Sequence, residues 1–348
     1  MRGKIAVVSS AMSAGMVMCG GVGSTFDGGV DATADAAADD AMSFGESPPK
    51  PDAGYDSGGT VFASQQLPLA IAVDSTNVYW TTTQLGGGDI MECPITGCGG
   101  PPLRLASNQG DVLALGSSGA TVYWPSAGAI MRCDIGGCAN APAVLNAAPQ
   151  APGLSVSSGT VYWTETAAPD AGRVVSCATS GCNNAPTVIA SGQVNPRVIA
   201  VDSTNVYWST DGTGPNSVGL GVWMCPATGC AGSPTQLWNG VAGGIASNGV
   251  TVAWTANGSV MTCPTSGCVG NPTVLASGLN QPMRIAIDGA TAYWLTKNAV
   301  MKCALAGCAS NPIVLATGDY VGQGIAVTAT TLFWADSFND ALMSLTPK

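Results

Sequence analysis

A dipeptide repeated at near-constant spacing limits this chain to very few folds. An aromatic residue followed by tryptophan recurs as Tyr79-Trp80, Tyr123-Trp124, Tyr162-Trp163, Tyr207-Trp208, Tyr293-Trp294 and Phe333-Trp334, with Ala253-Trp254 as the variant. Successive tryptophans are 44, 39, 45, 46, 40 and 40 residues apart. That period belongs to four-stranded propeller blades, units that cannot bury their apolar faces alone and must stack against copies of themselves.

Each repeat reads as four short strands. The first alternates large-small-large, as in Ile71-Ala72-Val73, Leu113-Ala114-Leu115, Leu154-Ser155-Val156, Ile199-Ala200-Val201, Ile245-Ala246-Ser247, Ile285-Ala286-Ile287 and Ile325-Ala326-Val327. Period two indicates a strand, and apolar character on both faces indicates a sheet covered on both sides. The second strand carries the aromatic-Trp pair. The third carries Ile90-Met91, Ile130-Met131, Trp223-Met224, Val260-Met261, Val300-Met301 or Leu342-Met343, and these methionines are expected in the core with the tryptophans. The fourth reads Leu103-Arg104-Leu105-Ala106, Val188-Ile189-Ala190, Val274-Leu275-Ala276 or Val314-Leu315-Ala316.

The ends of the repeat region fix the count. Thr60 to Ser64 matches a fourth strand with no preceding three, and Ile325 to Leu345 matches strands one to three with no fourth. Joined, they complete one blade. The expected fold is all-β, a seven-bladed β-propeller of four-stranded blades over residues 60–348, closed by the N-terminal strand completing the last blade.

The run Ile-Ala-Val-Asp followed by Val-Tyr-Trp-Thr or Ser, clearest at Ile71 to Thr81 and Ile199 to Ser209, resembles the YWTD-type propellers of lipoprotein receptors and, more loosely, other extracytoplasmic propellers. Those propellers usually have six blades, against seven counted here, and the Asp that ends their motif survives only as Asp336, with Glu165 in blade three. The resemblance implies the fold and not a receptor function.

Twelve of the 13 cysteines fall as six Cys-x4-Cys units, Cys93/Cys98, Cys133/Cys138, Cys177/Cys182, Cys225/Cys230, Cys263/Cys268 and Cys303/Cys308. Each is expected to link the third strand of its blade to the fourth, and a glycine always precedes the second cysteine. That is turn chemistry, with Gly supplying a positive φ. Disulfides are the favoured reading. Zinc is the alternative, but it wants four ligands where each turn offers two. Blade seven has no third-to-fourth hairpin and no cysteine. Thirteen cysteines suit an oxidising compartment.

The N-terminus gives an address. Arg2 and Lys4 precede an apolar run from Ile5 to Met18, the pattern of a signal peptide over residues 1–18 and too short to span a bilayer. Cys19 follows at once, and the arrangement resembles a bacterial lipoprotein signal, in which that cysteine is lipidated. Cleavage after a small-x-small site such as Gly21-Val22-Gly23 is the alternative. Residues 19–59 are rich in Gly, Ala and Asp, with eight acids against Lys50, and read as a disordered acidic linker. The chain is therefore expected to be exported and held at the cell envelope or surface by a lipid anchor in the membrane, or secreted if Cys19 is not modified.

Composition narrows function by exclusion. The 348 residues include no histidine, which removes His-dependent nucleophilic triads and His-ligated zinc or haem. A formal net charge of -10 argues against nucleic acid as a partner. No motif calls for a cofactor, a metal or a catalytic residue. Function should lie in the irregular loops entering the first strands and leaving the second ones, which share one face of the ring around the channel mouth. There Asp111, Arg197, Arg284, Asp319 and Gln323 are the candidate ligand-binding residues, suited to a polar ligand such as a glycan, a peptide or a protein; solvated loops without a ligand are the bland alternative. A metal-assisted propeller enzyme, lyase- or lactonase-like, would have to use carboxylates such as Asp111, Glu165, Asp319 and Asp336. Binding is the favoured reading over catalysis.

Overall fold

The computed structural model describes residues 58–64, 67–83, 87–148, 150–166, 171–211, 219–230, 232–268, 270–309, 311–318, 324–336 and 338–348. Cys19, the signal-like segment and the acidic linker lie outside the described residues, as do Asp319 and Gln323. Strands are designated a to d from the inside of each blade outward.

The described chain is all-β, with seven four-stranded antiparallel sheets. Six blades take strands a to d in chain order, as in Pro68–Val73, Asn77–Thr82, Ile90–Pro94 and Leu103–Ala106 of blade one. Blade seven takes a, b and c from Ile325–Val327, Leu332–Asp336 and Ala341–Leu345, and d from Thr60–Ser64. Thr60 pairs with Ser344 and Ser64 with Ala341, so the chain's first described strand closes the ring. Each strand a adjoins the strands a of both neighbouring blades, which makes a complete circuit.

The aromatic-Trp pair explains how blades stack. The seven repeat tryptophans are fully buried. Adjacent residues on a strand face opposite sides of the sheet, so the two members of each pair reach two different interfaces. Tyr79 packs into the same cluster as Trp124 of the next blade, Tyr123 with Trp163, Tyr162 with Trp208, Tyr207 with Trp254 and Tyr293 with Trp334. Phe333 meets Trp80 across the closing interface, where Phe62 meets Phe333 edge-on at 5.1 Å between ring centres. The seven clusters are thus seven interfaces between blades, each built from one Trp and its neighbour's smaller residue, which is Ala253 in one case.

Two expected registers are corrected. In blade two the first strand is Gly116–Ser118, and Gly116 faces Tyr123 as Ala72 faces Tyr79. The large-small-large triad Leu113-Ala114-Leu115 therefore lies two residues early, and Leu115 takes the place of Ile71. Leu113 and Leu115 have the same chemistry two residues apart on one face, so alternation alone could not choose between them. In blade four, Trp223 rather than Met224 faces the repeat tryptophan Trp208. Of the strand-c methionines, Met91 and Met343 are buried, whereas Met131, Met224, Met261 and Met301 are half-buried at the edges of the clusters.

A bulge not foreseen from the sequence recurs in every blade between strands c and d. Ile90 faces Ala106, yet the adjacent Met91 faces Arg104, so Leu105 is the extra residue. The same slip occurs at Leu145, Ile189, Leu237, Leu275, Leu315 and Phe62. The extra residue turns a large apolar side chain inward at the outer rim, while its predecessor stays exposed, as at Val144, Val188 and Val274.

All six Cys-x4-Cys units are disulfides: Cys93–Cys98, Cys133–Cys138, Cys177–Cys182, Cys225–Cys230, Cys263–Cys268 and Cys303–Cys308, with Cα–Cα distances from 4.9 to 5.7 Å. The glycines before the second cysteines have φ between 100° and 116°. The expected link from strand c to strand d is corrected. The first cysteine of each pair lies in strand c, but the second, at Cys98, Cys138, Cys182, Cys230, Cys268 and Cys308, lies in the turn before strand d begins. Cys98, for example, stands five residues before Leu103. The physical reason is the length of the turn. Four residues after strand c only reverse the chain, and several more are needed to reach strand d.

The second sulfur instead faces the preceding blade and is half-buried there. Cys138 Sγ lies 3.4 Å from the carbonyl oxygen of Leu105, and Cys230 Sγ 3.6 Å from that of Ile189. Cys268 Sγ and Cys308 Sγ each lie 3.8 Å from the carbonyl oxygens of Leu237 and Leu275. Cys182 Sγ approaches a side chain, Asn146 Oδ1, at 3.4 Å. Six disulfides suit an oxidising environment outside the cytoplasm. Among the described residues no helix is long and apolar enough to cross a membrane.

Candidate functional site

Loops from d to a and from b to c meet on one face. In blade one the b–c loop and the following d–a loop exchange backbone hydrogen bonds, Gln109 N donating to Gly88 O at 2.8 Å and Gly88 N to Gly110 O at 3.2 Å. Three indoles are tied to this face: Trp124 Nε1 donates to Gln109 Oε1 at 3.0 Å, Trp208 to Gln193 at 3.0 Å and Trp163 to Glu165 at 2.9 Å. The buried indole N–H groups of Trp80, Trp254, Trp294 and Trp334 have no hydrogen-bond partner among the described residues.

A threonine directly after the repeat tryptophan clasps the next blade. Thr164 Oγ1 donates to Arg197 O at 2.8 Å and Thr255 Oγ1 to Met283 O at 2.6 Å. The fit at the first clasp requires Gly153, because a Cβ there would stand 2.0 Å from Arg197 O. These clasps fix the backbone at Arg197 and next to Arg284.

The two arginines share one cavity of about 280 Å³ in the channel, walled by aliphatics including Leu115 and the strand-a residues Ile71, Leu154, Ile199, Ile285 and Ile325. Arg284 Nη1 donates to Gly243 O of the intervening blade at 3.0 Å. Burial, and then the charge of Arg197, pull the Arg284 pKa below its ordinary value. Arg197 remains about half exposed, and its Nε lies 3.6 Å from Asp211 Oδ2. Asn195 Nδ2 donates to the other Asp211 oxygen at 2.5 Å. Sequence reading did not single out Asp211 as a site residue; its signal is its place directly after Thr210, where strand b opens into a long loop.

The other candidates separate. Asp111 is exposed and lines a second cavity, of about 270 Å³, between blades two and three with Gln109, Pro125 and Ser126. Asp336 is buried and accepts from Asn339 N at 3.0 Å and Asn339 Nδ2 at 2.8 Å. Glu165 is buried between its own tryptophan and Arg173, whose Nε lies 2.5 Å away. Asp111 and Asp336 thus stand on different blades with different surroundings. No group of three His, Cys, Asp or Glu side chains among the described residues is placed to hold a metal ion.

On the opposite face, Asp74 and Asp202 cap their turns. Asp74 Oδ1 accepts from Thr76 N and Asn77 N at 2.7 and 2.8 Å, and its other oxygen accepts from Tyr79 Oη at 2.6 Å. Asp202 repeats this with Thr204, Asn205 and Tyr207, and adds Ser247 of the next blade at 2.7 Å. Asp288, at the matching position of blade six, pairs with Lys348 instead. Blade six has Gly289-Ala290 where the others have Ser-Thr, so the turn lacks the hydroxyl partner.

No protein-family model matches the chain, and no curated protein matches it. Solved propellers do. The WD40 β-propeller domain of Doa1 superposes with a TM-score of 0.60 at 10% identity, over 84% of this chain and 97% of that one. The Neurospora crassa Pan2 WD40 domain gives 0.58 at 11% identity, over 84% and 97%. YCF48, solved bound to a D1 peptide, gives 0.58 at 9% identity, over 83% and 96%. At these identities the likeness establishes the fold alone, a β-propeller, and leaves function to be argued from the site.

Proposed function

We propose that the chain is an exported binding or scaffold module that recognises a polar ligand, a glycan, peptide or protein, on the channel-mouth face. The observation that supports this reading is the presence of Arg197 and Arg284 in one channel cavity. Arg284 contacts Gly243 O of the adjacent blade, and the rest of the lining is aliphatic or glycine, so the two guanidinium groups are the charged side chains of this cavity among the described residues. The test is an array of cell-envelope glycans and peptides probed with the full chain and with an Arg197→Ala, Arg284→Ala double variant. The reading expects a bound ligand that the double variant loses; retention by the double variant would move the site elsewhere.

Tethering completes the proposal. Cys19 carries the lipid, the membrane is the anchoring partner, and the acidic linker holds the propeller away from it. Mass spectrometry of the mature N-terminus reads this directly, with a diacylated Cys19 expected and an unmodified terminus at Ser24 the opposing result.

A further inference from the structure

The chain contains three Asn-Gly dipeptides, Asn239-Gly240, Asn248-Gly249 and Asn257-Gly258, all within blade five and the loop that enters it. Asn-Gly is the dipeptide most open to intramolecular ring closure, because glycine has no Cβ to keep the asparagine side chain away from its backbone nitrogen. Three copies of one reactive sequence in one blade differ only in their surroundings. All three asparagines are exposed, so access of water does not distinguish them.

Their contacts do. Asn248, in the turn between strands a and b, is tied at both polar atoms of its side chain. Its Oδ1 accepts from Val250 N at 2.9 Å and Thr251 N at 2.8 Å, and its Nδ2 donates to Gly289 O of the next blade at 2.7 Å. The nitrogen that would attack, Gly249 N, donates to Ser247 Oγ at 3.2 Å. Asn239 follows Trp238, whose ring lies against Gly240: a Cβ there would stand 2.3 Å from it. That contact resists the peptide rotation that closure needs.

Asn257 occupies the two-residue turn between Thr251–Ala256 and Ser259–Pro264, on the channel-mouth face. Among the described residues neither its side chain nor Gly258 N has a hydrogen-bond partner. A Cβ on Gly258 would meet only Leu279 O, at 3.6 Å. Gly258 O accepts from Leu279 N at 2.9 Å, which holds the turn without engaging either reacting group.

We infer that Asn257 is a self-modification site, where the chain deamidates with water as co-reactant. Gly258 N attacks Asn257 Cγ, a C–N bond forms, and the Cγ–Nδ2 bond breaks. The proton lost by Gly258 N leaves with Nδ2 as ammonia, and a cyclic succinimide remains. Water then adds to either succinimide carbonyl and gives aspartate or isoaspartate. No oxidant, metal or enzyme is required. The product carries a new carboxylate on the channel-mouth face, and its isoaspartate form inserts a methylene into the main chain of the turn. The inference is independent of the ligand-binding reading.

Incubation of the full chain in mildly alkaline buffer, followed by chymotryptic peptide mapping with tandem mass spectrometry, tests it. Cleavage after Trp254 separates Asn257 from the other two asparagines, and fragmentation distinguishes those. Asn257 is expected to convert at least tenfold faster than Asn248, a difference of about 1.4 kcal/mol in barrier, with Asn239 between them. In the reduced chain unfolded in urea the protecting contacts are gone, and the three rates should converge. Conversion of Asn248 or Asn239 as fast as that of Asn257, an intact Asn257, or the same ranking in the unfolded chain would overturn the assignment.

Discussion

The Sγ of Cys138 lies 3.4 Å from the carbonyl oxygen of Leu105, a residue of the preceding blade. This disulfide therefore closes its own short turn and presses that turn against its neighbour, as do those of Cys230, Cys268 and Cys308. The first role constrains the unfolded chain and the second contributes packing.

Replacing Cys133 and Cys138 together by serine should cost about 2 kcal/mol from loop closure alone. The loss of packing on Leu105 should raise it further. Denaturant unfolding of the double variant against the parent chain measures the sum. A cost well under that figure would mean that the turn keeps its shape unaided.

The indoles differ in their partners, and this difference is measurable. Gln109→Ala leaves the buried Trp124 Nε1 without its acceptor and should cost about 1–3 kcal/mol. Trp124→Phe should cost about 1 kcal/mol more than Trp294→Phe, because only the former breaks a hydrogen bond. Paired unfolding curves would show the difference.

The carboxylates on the opposite face set an acid limit. Burial raises the Asp74 pKa, but hydrogen bonds from Tyr79, Thr76 and Asn77 outweigh it and leave the group below its ordinary value. Asp202 behaves alike, with burial outweighed by Thr204, Ser247 and Asn205. A depressed folded pKa stabilises the fold above the unfolded value of about 3.9, and the contribution is lost as pH falls below it. Burial, followed by the hydrogen bond to Asp74, raises the pKa of Tyr79, so its contribution is intact below about 10 and lost as pH rises beyond. Stability measured against pH should fall at both ends, and Asp74→Asn with Asp202→Asn should flatten the acid side.

Lys348 joins blade seven to blade six. Its ammonium contacts Asp288 and Thr328 O and stands 5.5 Å from the centre of the Tyr293 ring. Lys348→Met keeps the hydrocarbon stem and should cost on the order of 1 kcal/mol, because Asp288 remains partly solvated. The effect should shrink in high salt.

The blade count, the closure and the six disulfides were legible in the sequence because each is a repeated local pattern. Tyr79-Trp80 announces its strand, and the glycine before Cys98 announces its turn. Where the second sulfurs point was not legible, because Cys182, Cys268 and Cys308 meet a neighbouring blade that lies outside their own repeat. The strand-d bulge at Leu105 was not legible either, since an extra residue leaves no mark on a four-residue apolar run. The pairing of Arg197 with Arg284 was only half legible. Both stood out as isolated bases on one face, but their convergence depends on ring curvature, which brings together residues 87 positions apart. Asp211 escaped because its role depends on the return of a loop rather than on a motif.

Thr60 pairs with Ser344 across 284 residues. Six blades are local hairpin arrays of consecutive strands, each with a disulfide closing the turn after its third strand. The seventh is assembled from the two ends of the described fold, and it forms only after the loop between them has been closed at an entropic cost. Until then, Trp80 lacks Phe333 as a neighbour and the first blade stands open on one side. That single pairing converts an open arc into a ring, so the largest loop-closure cost of the described fold is concentrated in its seventh sheet.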